Sequence, residues 1–143
     1  LGHGGTTDVS SPVQVGSLTT WSKSFMRNSA MMAFSTDGVM YAVGKSGAKG
    51  VLGTGFNDDT YSSPVQVGNH SPWTRVYGSA AAQGWTAITE DGTMWTCGIG
   101  TDGRIGDGSA TTKSFPVQVG KLETWLDGAS SGGFGSAGIL NND

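Results

Sequence analysis

Short β-prone runs, set off by clusters of turn residues, account for most of the pattern of apolar and polar positions in this chain. From Trp73 onward the runs are Trp73 to Tyr77, Gly84 to Thr89, Thr93 to Cys97 and Val117 to Val119. Val, Ile, Thr, Trp and Tyr recur in them, the residue types that fit a pleated, half-buried surface. Glu90-Asp91-Gly92 separates the second run from the third, and Asp-Gly readily supplies the positive φ angles of a tight hairpin turn. The preceding stretch divides the same way, into Trp21 to Met26, Ala30 to Ser35, Val39 to Val43 and Val65 to Val67, with Asp37-Gly38 at the reversal. No helical periodicity lies between these runs. The pattern predicts an all-β fold with four short antiparallel strands per unit.

The units are copies of one another. Pro-Val-Gln-Val-Gly occurs at Pro12 to Gly16, Pro64 to Gly68 and Pro116 to Gly120, 52 residues apart each time, and Trp21, Trp73 and Trp125 keep the same interval. Leu1-Gly2, Leu52-Gly53 and Ile105-Gly106 form a further set, as do Gly44 and Gly98. A fixed period with four strands per unit is the arithmetic of β-propeller blades. The expected organisation is a single repeat domain over 1–143. Its blade units are 21–68 and 73–120, with a partial unit at 125–143 and the end of a preceding blade at 1–16. Asp143 lies 18 positions after Trp125, as Asp91 does after Trp73. The chain therefore reads as about three repeats of an open or partial propeller, an excerpt of a longer one. The small residues Ser79 to Ala82 and Ser130 to Gly133 read as crowded packing, and the recurring Trp as a seal between blades.

Composition narrows the classes further. There are 25 Gly, well above the average of about 7%, and charged residues are only 13%, which disfavours long solvated helices. With 36% apolar residues and five Trp, the chain can still bury a core. Eight Lys plus Arg scattered among eleven Asp plus Glu give a net charge of −3. That supplies no basic face for phosphate neutralisation, so nucleic acid is not an expected partner. No apolar run approaches the ~20 residues of a membrane span. Cys97 stands alone and reads as a small buried hydrophobe.

Two glycine motifs invite a nucleotide reading and fail it. Gly98 to Gly103 has the G-x-G-x-x-G spelling, yet Arg104-Ile105-Gly106-Asp107-Gly108 follows, where a phosphate site needs a helix N-terminus. Gly44-Lys45-Ser46 follows the strand Val39 to Val43 rather than a flexible loop, and no helix comes after it. His3 and His70 sit in turn-like contexts without other ligands at metal spacing. No catalytic, cofactor or metal residues are assigned, and no cofactor is expected. What remains are two long loops, Gly44 to Ser63 and Gly98 to Phe115, whose sequences differ between copies while their frames match. Loops on a rigid scaffold carry function. The candidate interaction residues are Lys45, Lys49, Phe56, Asp58, Asp59 and Tyr61 in one, and Asp102, Arg104, Asp107 and Lys113 in the other.

These features together resemble the regulator of chromosome condensation repeat. The matching residues are Asp37-Gly38, Gly44, Gly50, Leu52-Gly53-Thr54-Gly55 and Pro64-Val65 in one copy. The next copy gives Asp91-Gly92, Gly98, Gly103, Ile105-Gly106-Asp107-Gly108 and Pro116-Val117. The chain departs from the family pattern at Val43 and Cys97, where Trp is common, and at Ala30, Gly84 and Ser136, where His is common. The resemblance implies four-stranded blades, usually seven to a ring, and function through protein contacts. The expected function is a non-enzymatic scaffold or protein-interaction module whose partners include other subunits of a larger assembly. The short, Trp-marked repeat is similar to those of phage and bacterial surface proteins, so a virion or cell surface is the expected setting, rather than the cytoplasm. The alternative is a regulatory binding protein, similar to a guanine-nucleotide exchange factor or to an enzyme inhibitor, acting through one propeller face.

Overall fold

Each Asp-Gly pair reverses the chain where its chemistry predicts. Gly38 and Gly92 both sit at φ +79, joining the second strand of each unit to the third. The computed structural model describes residues 2–27, 29–45, 50–56, 60–69, 72–78, 83–121, 125–131 and 135–140. Among these the strands form three antiparallel sheets. The first holds β1 (Trp21–Arg27), β2 (Ala30–Ser35), β3 (Met40–Lys45) and β4 (Thr60–Gln66) in that order, and the second holds β5 (Trp73–Tyr77), β6 (Gly84–Thr89), β7 (Met94–Gly98) and β8 (Lys113–Gln118). The third pairs β9 (Trp125–Ser131) with β10 (Gly135–Leu140). The chain is all-β, and each four-stranded sheet is one propeller blade. The stretch after Gly98 contains a 3-10 turn at Thr101–Gly103, too short to present the helix N-terminus that a dinucleotide site requires. The small-residue stretch at 79–82 lies outside the described residues, as do Gly132, Gly133 and His70.

The fourth strand of each blade begins earlier than its apolar run suggests, at Thr60 rather than Val65 and at Lys113 rather than Val117. Pro64 and Pro116 fall inside these strands. An edge strand tolerates proline because its missing N–H need not serve a ladder. The register shifts between Ala42 and Gly44 and again between Thr96 and Gly98, so each edge strand bulges past its proline.

One hydrophobic cluster joins the first two blades. Met32, Phe34, Met40 and Leu52 from the first pack with Trp73, Trp85 and Cys97 from the second. The Trp73 ring meets Trp85 edge-on at 6.1 Å and Trp95 at 6.4 Å; one unit earlier, Trp21 meets Tyr41 edge-on at 5.4 Å. Backbone bonds stitch this seam and the next. The Trp73 amide donates to the Gly38 carbonyl at 2.8 Å and the Trp125 amide to the Gly92 carbonyl at 3.0 Å. The recurring Trp thus anchors each blade to the Asp-Gly turn of the one before it. At the far edge, Gly4 N–H donates to the Ser62 carbonyl and Gly55 N–H to the Ser114 carbonyl, both at 2.8 Å. The Leu-Gly-x-Gly loop of one unit therefore clasps the outer strand of the next.

Candidate interaction surface

Residues that recur are largely consumed by the scaffold. Asp91 Oδ1 accepts the Thr93 amide at 3.2 Å and the Thr93 hydroxyl at 2.9 Å, and the Thr89 hydroxyl as well. Trp95 Nε1–H donates to Thr93 Oγ1 at 2.8 Å, which ties the turn to the Trp73 seam. In the first blade, Ser35 donates to Asp37 in the same way. The Thr89 and Thr93 hydroxyls hold the Asp91 carboxyl below the usual 3.8, and the Ser35 hydroxyl does so for Asp37. A carboxyl whose folded pKa is depressed contributes stability that is present above the unfolded pKa and lost as pH falls through the folded one. The melting temperature is therefore expected to drop as pH is lowered through and below 3.8. Asp91→Asn should flatten that acid limb in a thermal scan across pH, and an unchanged slope would show that these turns do not carry it.

The non-recurring loops are partly committed too. Asp107 accepts the Ser109 amide at 2.9 Å and its hydroxyl at 2.8 Å, and its other oxygen pairs with Lys113 Nζ at 3.0 Å. Burial pushes the Asp107 carboxyl up, but the Ser109 amide and Lys113 outweigh it and leave it below the usual value. This pair closes the second loop onto β8. Tyr61 lies half-buried on β4 against the core, with its hydroxyl donating to Thr54 Oγ1 at 3.4 Å. Arg104 Nη2 pairs with Asp102 at 2.9 Å, and exposed Asp102 adopts φ +63, a left-handed conformation that Asp tolerates better than most residues. Lys45 is exposed at the end of β3. Lys49, Asp58 and Asp59 lie outside the described residues.

Phe56 is 63% exposed, and a second ring joins it: Phe115, on β8, is 45% exposed. The clasp sets the backbone segments that carry them side by side. Ser114 Oγ–H donates to the Gly55 carbonyl at 3.1 Å, a Cβ placed on Gly55 would lie 3.5 Å from the Phe115 ring, and Phe56 is the next residue along. Phe115 was not among the sequence candidates because it adjoins the recurring Pro-Val-Gln-Val. The available signal was that Ser63 occupies its place one repeat earlier. The surface therefore offers two large exposed rings at a blade junction, with Lys113, held by Asp107 of the preceding loop, on the same strand as Phe115. Such a surface is suited to desolvated contact with another macromolecule. Among the described residues no group of three or more His, Cys, Asp or Glu is placed to hold a metal, and no helix is long and apolar enough to cross a membrane.

No family model matches the chain. It is 33% identical over 135 residues to the ultraviolet-B receptor UVR8 of Arabidopsis thaliana, covering 91% of this chain and 29% of that protein. Its fold matches human WBSCR16 with a TM-score of 0.73 at 17% identity, covering 92% of this chain and 36% of that one. It also matches yeast RCC1 (Prp20), solved bound to Kap60, with a TM-score of 0.68 at 16% identity, covering 86% and 31%. A further structure of Prp20p from Saccharomyces cerevisiae, described with its binding to Gsp1p and histones, gives a TM-score of 0.67 at 14% identity over 92% of this chain and 34% of that one. The chain spans about a third of the length of each relative.

Proposed function

Because the chain belongs to the regulator of chromosome condensation-like repeat family of β-propellers, we propose that it is a non-enzymatic protein-interaction module. On this reading the recurring residues build a rigid arc and the residues that fail to recur meet the partner. The observation that carries the proposal is the exposed Phe56–Phe115 pair at the clasp between blades. Buried aromatic anchors dominate protein interfaces, and the scaffold gains little from leaving two rings in water. The yeast relative, whose structures are described with Kap60, Gsp1p and histones, supports protein binding as the mode of action. For the setting, the short Trp-marked repeat supports a virion or bacterial surface assembly. Co-sedimentation with a particle or envelope fraction tests that setting, and a freely soluble monomer absent from both removes it.

Binding to the native partner assembly is expected to weaken about tenfold or more when Phe56 and Phe115 are both changed to Ser. The melting temperature should change little, because neither ring is buried. Undiminished binding by the double variant would sink the proposal.

A further inference from the structure

Lys23, Arg75 and Asp127 stand 52 residues apart, at the same place on the first strands of three successive units, β1, β5 and β9. Between the second and third units the charges complement one another. Asp127 Oδ1 lies 3.8 Å from the Arg75 guanidinium, the Tyr77 hydroxyl donates to the same carboxylate, and Arg75 donates to the Leu126 carbonyl. The Tyr77 hydrogen bond, with help from the Gly128 amide and Arg75, holds the Asp127 carboxyl below its usual value. Burial and then Asp127 raise the Tyr77 hydroxyl.

The junction between the first and second units lacks that carboxylate. Arg75 itself stands where Asp127 stands one unit later, and Phe25 takes the place of Tyr77. The Phe25 ring covers Gly78, where a Cβ would come within 2.9 Å. A groove of about 300 Å³ results, lined by Lys23 from β1, Arg75 from β5, and Phe25, Phe34 and Tyr77. In a chain of net charge −3, Lys23 and Arg75 both line this groove and no acid is among its lining residues, although Arg75 also reaches Asp127 and the Leu126 carbonyl of the next unit.

We propose that this groove accepts an Asp or Glu side chain from an acidic segment of a protein partner, the carboxylate lying between Lys23 and Arg75. The occupant is inferred from the next junction, where a carboxylate in the corresponding register takes both a guanidinium and a tyrosine hydroxyl. Aromatic lining suits the aliphatic part of an extended peptide. A polyphosphate strand fits worse, because it needs a track of cations that eight Lys plus Arg among eleven acids do not lay down. The groove lies along β1 and β5, at the opposite sheet edge from Phe56 and Phe115, so it rests on separate observations.

The test titrates a fluorescent Glu-rich peptide with the 143-residue chain and follows anisotropy. Binding is expected to fall about tenfold or more in Lys23→Glu, to survive in Lys23→Arg, and to weaken with added salt. Phe56→Ser/Phe115→Ser should leave it unchanged. Lys23 is exposed, so unchanged melting temperatures are expected for its variants and certify the comparison. Equal binding by Lys23→Glu, no binding by the wild-type chain, or stronger binding of oligothymidylate or pyrophosphate than of the peptide each overturns the proposal.

Discussion

Trp85→Ala is expected to lower the free energy of unfolding by about 3–5 kcal/mol, the range for truncating a large buried aromatic. Trp85 is 2% exposed and belongs to the cluster that joins the first two blades. Its ring meets Trp73 edge-on, and a Cβ on Gly53 of the other blade would lie only 2.6 Å from Cζ2. The cavity would therefore open at the seam itself. In a repeat array, stability is a sum of unit terms and neighbour-interface terms, so losing the seam should also broaden the urea transition or split it in two. Met31 occupies the corresponding position one unit earlier and is only half-buried; Met31→Ala should cost less than about 2 kcal/mol. Equilibrium urea denaturation followed by circular dichroism checks both. A Trp85→Ala variant that loses less than about 1 kcal/mol would show that the blades adhere by something other than this cluster.

The seam was legible because its chemistry is local and recurs. Trp21, Trp73 and Trp125 announced it by spacing, and Asp37-Gly38 and Asp91-Gly92 announced the turns to which those Trp residues bond. The fourth strands were only partly legible. Thr60 to Ser63 and Lys113 to Phe115 pair through a bulged edge whose register depends on Gly44 and Gly98, residues far away in sequence. Among the candidate residues, sequence identified what varies but not what is already paired. Within Gly98 to Phe115 the bond from Ser109 to Asp107 is a local turn contact that the Asp-x-Ser spacing permits, but the pairing with Lys113 is not legible, because it arises when the loop folds back onto β8. The groove beside β1 was hidden for a different reason. Lys23, Arg75 and Asp127 differ in type at one repeat position, and their meaning emerges only when adjacent blades set them side by side.

Gly98→Ala is the second large effect, and it links the scaffold to the proposed binding edge. Gly98 ends β7 at φ +124, outside the region that any L side chain adopts cheaply. It pairs with Gly84 on β6, and a Cβ there would fall 2.2 Å from the Gln83 carbonyl oxygen and 2.3 Å from the Gly84 Cα. Both obstacles are backbone, so no side-chain rotation relieves them. The strands must separate, and the Ile99 amide loses its 2.8 Å bond to the Gln83 carbonyl. A loss of at least about 3 kcal/mol is expected in urea denaturation, from backbone strain plus the broken pairing. Gly108 provides the control: it sits at φ +83 with nothing within 4 Å, so Gly108→Ala should cost only the left-handed penalty of about 1–2 kcal/mol. The two substitutions should also part in function. Gly98 starts the segment that returns to β8 and carries Phe115, so its variant should lose partner binding along with stability. Gly108→Ala should bind as the wild type does at temperatures where it remains folded. If both variants lost binding equally while Gly108→Ala stayed folded, the loop around Gly108, rather than the Phe56–Phe115 junction, would be the contact.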